Sequence, residues 1–270
     1  MDQQRLGRRD AVVLVVIGLV AGVLAGYFGI GGGTVIVPGL VLLGFSQRRA
    51  VATSLAAIGP TAVAASIAYI AHHQVDWLVA GLLIVGVVVG ARLGSALLTR
   101  LPEVVLRWFF VGFMVLIAVV QFLVVPPRVA TIPLDPLRAL AVVGLGLGTG
   151  VLSGLLGVGG GLIAISALTA LFGSSDLVAR GTSLIMMIPG AVTGTVSNFR
   201  KGLVDLRVAA LLALPAIVVT PAGAWLARFF SPRTNTILLG CYVLVIVARS
   251  VYVAWPKRGV EPPAEAPPKD

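Results

Sequence analysis

Residues Gly22 to Leu43 have the sequence GVLAGYFGIGGGTVIVPGLVLL. The same pattern returns at Gly150 to Leu171 as GVLSGLLGVGGGLIAISALTAL, and this repetition determines the architecture of the chain. Both copies place six glycines at the same spacings, 128 residues apart. Farther along the chain, Thr53-Ser54-Leu55 is matched by Thr182-Ser183-Leu184. The chain is therefore a tandem duplication of two similar halves.

The composition places both halves in a membrane. Hydrophobic residues make up 58% of the 270 residues, only 11% are charged, and the mean hydropathy is +1.06. Most of the apolar blocks have about 20 residues, the length that a helix needs to cross a bilayer. Unbroken apolar runs exclude the alternating pattern of a membrane β-barrel. We therefore predict an all-α polytopic membrane protein with about 8 to 10 passes.

The predicted organisation has five parts. They are a cytoplasmic N-terminal flank at 1–10, a first transmembrane repeat at 11–126, a linker at 127–136, a second transmembrane repeat at 137–255, and a C-terminal tail at 256–270. The tail is rich in proline and is expected to be disordered.

Three adjacent glycines interrupt the first apolar block of each half. Glycine is a poor helix former, so we expect each block to break there and to restart as a half-membrane helix. If each broken block is a hairpin, every half makes an odd number of passes and the second half is inverted. That topology places most Lys and Arg residues on the cytoplasmic side, together with both termini, as the positive-inside rule requires. The predicted fold is thus two inverted repeats, each a glycine-broken helix hairpin plus three transmembrane helices.

The two glycine breaks are candidate anion sites. A half-helix that begins inside the membrane points unpaired N–H groups and the positive end of its dipole at the break. Glycine lets that backbone approach a ligand and form an anion nest, and paired breaks are typical of inverted-repeat transporters. The alternative is that the glycines only permit close helix crossing. The candidate residues in the breaks are Gly29, Gly31, Gly32, Gly33, Thr34, Gly157, Gly159, Gly160 and Gly161.

Polar side chains near the breaks are the remaining candidates for substrate binding. They are Thr53, Ser54, Thr182, Ser183 and Asn198. The hydroxyl groups could complete the hydrogen bonds of an oxyanion, although such groups in membrane helices often bond their own helix instead. Asn198 lies near the end of its span and is predicted either to line the pathway or to anchor the helix at the interface. Asp76 and Asp205 are predicted to cap the starts of helices.

Several other functions are poorly supported by the sequence. The net charge of +10 is attributed to membrane topology and anionic lipid, and not to nucleic acid. The chain has no Walker A motif, no catalytic triad and no cluster of metal ligands at membrane depth, so we expect no enzyme, no cofactor and no metal. No carboxylate lies at mid-depth, and the sequence identifies no coupling ion.

The twice-written GxxxGxxGxGGG, each copy followed by an apolar half-block and then Thr-Ser-Leu, resembles the TauE/SafE family of bacterial and archaeal membrane permeases. The resemblance covers about residues 11 to 255, and Ser166 departs from the pattern, since the first half has Pro38 there. Characterised members export sulfite and organosulfonates. The resemblance therefore implies a secondary transporter that exports small sulfur oxyanions across a prokaryotic cell (inner) membrane.

This hypothesis has alternatives in other classes. An anion channel, or a carrier of another small organic solute, would use much of the same sequence. The predicted partners are a small anionic substrate and the lipid bilayer, and a homo-oligomer is left open.

Overall fold

The computed structural model describes residues 7–123 and 135–254 of the chain. Within these ranges the protein has ten α-helices, a short 3-10 turn at Ala227–Phe229 and no β-strand. The helices are α1 (Arg8–Phe28), α2 (Gly33–Leu42), α3 (Gln47–Ile70), α4 (Trp77–Arg100), α5 (Glu103–Leu123), α6 (Pro136–Leu156), α7 (Gly161–Ala170), α8 (Asp176–Phe199), α9 (Leu206–Leu226) and α10 (Pro232–Ala254). The predicted tail and most of the predicted linker lie outside the described residues.

The long helices match the thickness of a membrane. Among the described residues, 7 helices are long and apolar enough to cross a bilayer, namely α1, α3, α4, α5, α6, α8 and α9. Helices α2 and α7 have 10 residues each, so each is about 15 Å long and spans about half of the hydrocarbon core. The prediction of an all-α polytopic membrane protein is confirmed.

The duplication is visible helix by helix. Helices α1 and α6 each contain 21 residues, α2 and α7 each contain 10, and α3 and α8 each contain 24. Helix α9 has 21 residues and the 3-10 turn adds 3, which brings it to the 24 residues of its counterpart α4. Each half therefore consists of a broken helix followed by three longer helices.

Glycine ridges join the first helix of each half to the fourth helix of the other half. A β-carbon on Gly90 of α4 would lie 2.2 Å from the carbonyl oxygen of Leu147 on α6. One on Gly94 would lie 2.2 Å from that of Val151, one turn farther along both helices. Helices α4 and α6 therefore run parallel with their backbones in contact, and α1 and α9 pack in the same way.

Helices α3 and α8, which occupy equivalent places in the two halves, cross at the centre of the bundle. A β-carbon on Gly194 of α8 would lie 2.9 Å from Leu55 of α3. One on Gly59 of α3 would lie 3.7 Å from Ala191, so residue numbers rise along one helix as they fall along the other. The two equivalent helices thus pack antiparallel, and most of their surface is buried.

Candidate functional site

Each broken helix turns through three glycines with left-handed backbone angles. In the first glycine turn (Gly29–Gly33) the φ angles are 71° at Gly29, 71° at Gly31 and 77° at Gly32. In the second glycine turn (Gly157–Gly161) the equivalent glycines have φ angles of 68°, 78° and 80°. A residue with a β-carbon rarely adopts such angles, so the paired GxGG pattern is a local backbone requirement. The predicted breaks are therefore found where the sequence placed them.

The two glycine turns contact each other in the interior. A β-carbon on Gly33 would lie 2.3 Å from the carbonyl oxygen of Gly157. A β-carbon on Gly161 would lie 2.8 Å from the carbonyl oxygen of Gly29, which is the symmetric contact. Helices α2 and α7 begin at these turns, and no side chain caps either of their N-termini. Two half-helix N-termini, with their positive dipole ends, therefore meet inside the protein.

Apolar side chains fill the space between the turns. Ile58 of α3 and Met187 of α8 occupy equivalent positions, and both are fully buried. The Met187 methyl group would contact a β-carbon on Gly31 at 2.1 Å and one on Gly159 at 2.3 Å, while Ile58 lies 3.1 Å from both positions. Ile58 and Met187 therefore form an apolar plug that packs against both turns where they meet.

Two of the predicted hydroxyl groups hold the carbonyl groups of the opposite turn. Ser54 donates a hydrogen bond of 2.8 Å to the Gly157 carbonyl. Ser183 donates to the Gly29 carbonyl at 3.3 Å and also to the Arg180 carbonyl at 2.8 Å. Each half thus fixes the glycine turn of the other half.

The two predicted threonines join the halves at a second pair of points. Thr53 accepts a hydrogen bond of 3.2 Å from the backbone N–H of Asp205, and Thr182 accepts one of 3.0 Å from that of Asp76. Asp76 and Asp205 cap α4 and α9 as predicted, because their carboxylates accept hydrogen bonds from the first turn of each helix. Thr34, at the start of α2, shares a hydrogen bond with the hydroxyl group of Tyr242 on α10.

Asn198 is the predicted site residue with the least satisfied side chain. It is fully buried, and within the described part of the chain neither atom of its amide group has a hydrogen-bond partner. The buried hydroxyl groups of Ser95 and Ser153 also lack partners there. The Ser95 hydroxyl lies 3.6 Å from a β-carbon on Gly194, one turn before Asn198 on α8.

Ser95, Ser153 and Asn198 belong to α4, α6 and α8, and Ser153 lies next to the second glycine turn. The β-carbon of Ser153 lies 3.5 Å from the position that a β-carbon on Gly160 would occupy. Lys201, in the loop after α8, donates a hydrogen bond to the carbonyl group of Ser95. Burial lowers the pKa of Lys201, and the nearby Arg100 lowers it further.

Sequence reasoning missed a buried ion pair beside the first glycine turn. Arg180 is 1% exposed, and its Nε donates a hydrogen bond of 2.9 Å to Asp176. Its Nη1 donates to the carbonyl group of Tyr27, and Asn235 donates to the second carboxylate oxygen at 3.2 Å. A β-carbon added to Gly29 would lie 2.8 Å from the β-carbon of Arg180. The spacing of Asp176 and Arg180, four residues apart on a helix, is the signal that could have found this pair.

The other half carries no such pair. The positions equivalent to Asp176 and Arg180 are Gln47 and Val51, and Val51 packs against Gly157. The two glycine turns therefore have a similar backbone but different surroundings, one beside a buried ion pair and the other beside unpaired amide and hydroxyl groups.

Comparison with known proteins finds one family and several relatives. The family described as "Sulfite exporter TauE/SafE" matches residues 2–120 and 142–269. "Probable membrane transporter protein YunE" of Bacillus subtilis (strain 168) is 27% identical over 265 residues, which cover 89% of this chain and 97% of that protein. "Probable membrane transporter protein YjnA" of the same organism is 25% identical over 249 residues, covering 87% and 97%.

An archaeal relative has a similar extent. "Probable membrane transporter protein MJ0441" of Methanocaldococcus jannaschii is 24% identical over 247 residues, covering 84% of this chain and 90% of that protein. No solved structure matches the chain. The similarity therefore spans both halves of the duplication.

Proposed function

The chain belongs to the sulfite exporter TauE/SafE family of membrane transporters, and from this premise we propose that it exports small sulfur oxyanions, sulfite or organosulfonates, from the cytoplasm as a secondary transporter. The sulfur chemistry and the outward direction rest on the family description. The preference for an anion rests on one observation, the meeting of two uncapped half-helix N-termini in the buried interior. Each N-terminus carries about half a positive charge, which favours a bound anion.

In this proposal the anion binds the backbone of the glycine turns. The N–H groups of Gly31–Gly33 and Thr34 serve one half, and those of Gly159–Gly161 serve the other. Gly29 and Gly157 shape the turns, because their own N–H groups donate to the carbonyl groups of Ala25 and Ser153. Ser54 and Ser183 support the site by holding the turn carbonyls, so that the amide groups remain free to face a ligand. The carboxylate of Asp176, whose partner Arg180 packs against Gly29, is neutralised by that arginine and does not oppose an anion.

Asn198 serves as a polar lining of the path to the second glycine turn. A buried polar group without a partner costs about 1–3 kcal/mol, so such groups are normally satisfied by water or a ligand. The amide of Asn198 and the hydroxyl groups of Ser95 and Ser153 form such a set. A hydrated oxyanion that passes them would exchange water for these donors.

The apolar plug favours a carrier over a channel. An open channel needs a continuous polar lining, whereas Ile58 and Met187 place apolar side chains against both turns. We infer that the substrate reaches one turn at a time and that α3 and α8 shift relative to each other during transport. The antiparallel packing of these equivalent helices also supports the prediction that the repeats are inverted in the membrane.

Sulfite and a small alkyl sulfonate are expected to stabilise the purified protein against heat. In proteoliposomes, the flux of these anions is expected to saturate as their concentration rises. A ligand at a hundred times its Kd raises the free energy of unfolding by about 2.7 kcal/mol. The thermal-shift panel includes sodium, choline and carboxylate salts as controls. Stabilisation by cations alone would refute the anion site, and flux that rises linearly without saturation would replace the carrier by a channel.

Cysteines at Ser46 and Ser175 are expected to be labelled from opposite sides of the membrane, because these equivalent residues cap α3 and α8, which pack antiparallel. The measurement is labelling by a membrane-impermeant maleimide in cells and in inverted vesicles. Both variants carry Cys241→Ala, since Cys241 is exposed. Labelling of both positions from one side would show that the repeats are not inverted.

A further inference from the structure

A pocket outside the proposed anion site lies where the end of α2 meets the starts of α3 and α5 and the last turns of α10. Its empty volume, open solvent at its mouth included, is about 420 Å³. Arg107 and Arg249 line it together with the amide of Gln47, and its other walls are apolar. The pocket therefore combines two positive charges with a hydrophobic surface.

Neither arginine forms a salt bridge within the part of the chain that the structure describes. Within residues 7–123 and 135–254, the two salt bridges join other residues. Glu103 lies one turn before Arg107 on α5, yet the two form no salt bridge. Among the described residues, no acidic side chain lines the pocket. The two guanidinium groups thus favour a ligand with negative charge.

The depth of the pocket indicates where that ligand comes from. Arg107 lies near the start of α5 and Arg249 near the end of α10, so both are at the same end of two membrane-length helices. Arginine at such a position extends its guanidinium to the level of the lipid head groups. Basic pockets between transmembrane helices at this level are typical binding sites for acidic lipids.

The apolar walls favour a ligand with a hydrocarbon tail. Phe110 and Val111 are buried residues of α5, and Val41 of α2 lines the pocket with them. An inorganic anion would gain nothing from these side chains, whereas an acyl chain would remain in apolar surroundings.

We propose that this pocket binds an acidic phospholipid. The phosphate lies between Arg107 and Arg249, since a guanidinium group can bind phosphate oxygens with two parallel hydrogen bonds. Gln47 donates to the head group, and an acyl chain follows Val41, Phe110 and Val111 towards the bilayer. The lipid thereby contacts α2, the half-helix that begins at the first glycine turn.

The test measures binding of phosphatidylglycerol and phosphatidylcholine to the purified full chain by native mass spectrometry and thermal shift. We expect wild-type protein to prefer phosphatidylglycerol, and the variant Arg107→Gln/Arg249→Gln to bind it roughly tenfold more weakly or worse. Val41→Trp keeps both charges but fills the apolar wall, and we expect it to lose the lipid as well. The matched control is Arg92→Gln/Arg207→Gln, which removes two exposed arginines outside the pocket and should change binding less than twofold.

Competing ligands separate the lipid from a soluble anion. Glycerol 3-phosphate supplies the head group without the tail, and decanesulfonate supplies a tail with another acidic group. Weak competition by both supports a phospholipid site. Equal binding of phosphatidylglycerol by the wild type and by the Arg107→Gln/Arg249→Gln variant would overturn the proposal. Competition by glycerol 3-phosphate as strong as that by the lipid, or tighter binding of decanesulfonate, would also overturn it.

Discussion

Replacement of Gly33 by valine is expected to abolish anion transport and to lower the thermal stability of the protein. The new β-carbon would lie 2.3 Å from the carbonyl oxygen of Gly157, so one glycine turn would be forced away from the other. Overpacking of this kind costs about 1–3 kcal/mol, and the side chain also covers the amide groups that open α2. Efflux from proteoliposomes and the unfolding midpoint measure the two effects. The symmetric variant, Gly161→Val, should behave alike.

The matched control for that substitution is Gly81→Val. Gly81 is also helical, and a β-carbon there meets nothing within 4 Å, so transport should be retained. If Gly33→Val transports as well as Gly81→Val, close contact of the turns is not needed for function.

A second pair of variants separates loss of the site from backbone strain. Gly160 and Gly173 have φ angles of 80° and 68°, so the backbone strain of alanine is similar at both, about 1–2 kcal/mol. At Gly160 the new β-carbon would also lie 2.6 Å from the methyl group of Thr149, so Gly160→Ala should be the less stable variant and only its response to anions is compared. Only Gly160 begins a half-helix, and Gly173 faces open space. Anion-dependent stabilisation should be lost in Gly160→Ala and kept in Gly173→Ala. Equal responses of the two variants to anions would contradict an anion site at the second glycine turn.

The fold was predictable where the sequence encodes a local backbone requirement. Left-handed angles at Gly29, Gly31 and Gly32 demand glycine, so the breaks can be seen without knowledge of any tertiary contact. The same pattern occurs twice, so the helices predicted for one half are also predicted for the other half. The lengths of the apolar blocks predicted the membrane-spanning helices, because a helix needs about 20 apolar residues to cross a bilayer.

The surroundings of the site were not predictable, because they depend on which helices meet. Ile58 and Met187 are ordinary apolar residues of apolar helices, and only the crossing of α3 and α8 places both of them against the two glycine turns. Ser54 was predicted to face a ligand, yet its partner is the Gly157 carbonyl, more than 100 residues away in sequence. A hydroxyl group in one helix does not indicate which carbonyl group will lie opposite.

The burial of the Arg180 charge was likewise not predictable from the sequence. In the sequence Arg180 resembles an interfacial arginine near the start of a span, and such residues set topology. In the structure it is buried, because Asp176 on its own helix and Asn235 on α10 complete its surroundings. Burial of a charge is decided by its partners, and one of these lies on a helix more than 50 residues away.

The Arg180→Met variant is expected to lose about 3–5 kcal/mol of stability, because it leaves the Asp176 carboxylate buried and without its partner. Asn235 still donates one hydrogen bond to that carboxylate, but a neutral amide does not balance the charge. Chemical unfolding of the purified protein in detergent measures the loss. The control is Arg138→Met, since Arg138 and Asp135 form an exposed pair at 3.9 Å, and such pairs contribute less than about 1 kcal/mol.

The double variant Asp176→Leu/Arg180→Met distinguishes an unbalanced charge from lost packing. Removal of both charges leaves no ion to bury, so the double variant should regain much of the stability that Arg180→Met loses, with a coupling of about 0.5–3 kcal/mol. If the two single losses simply add, the pair is not coupled. If Arg180→Met unfolds no more easily than Arg138→Met, then the ion pair does not stabilise this end of the bundle, and the first glycine turn is held by Ser183 and by the packing of α1 on α9.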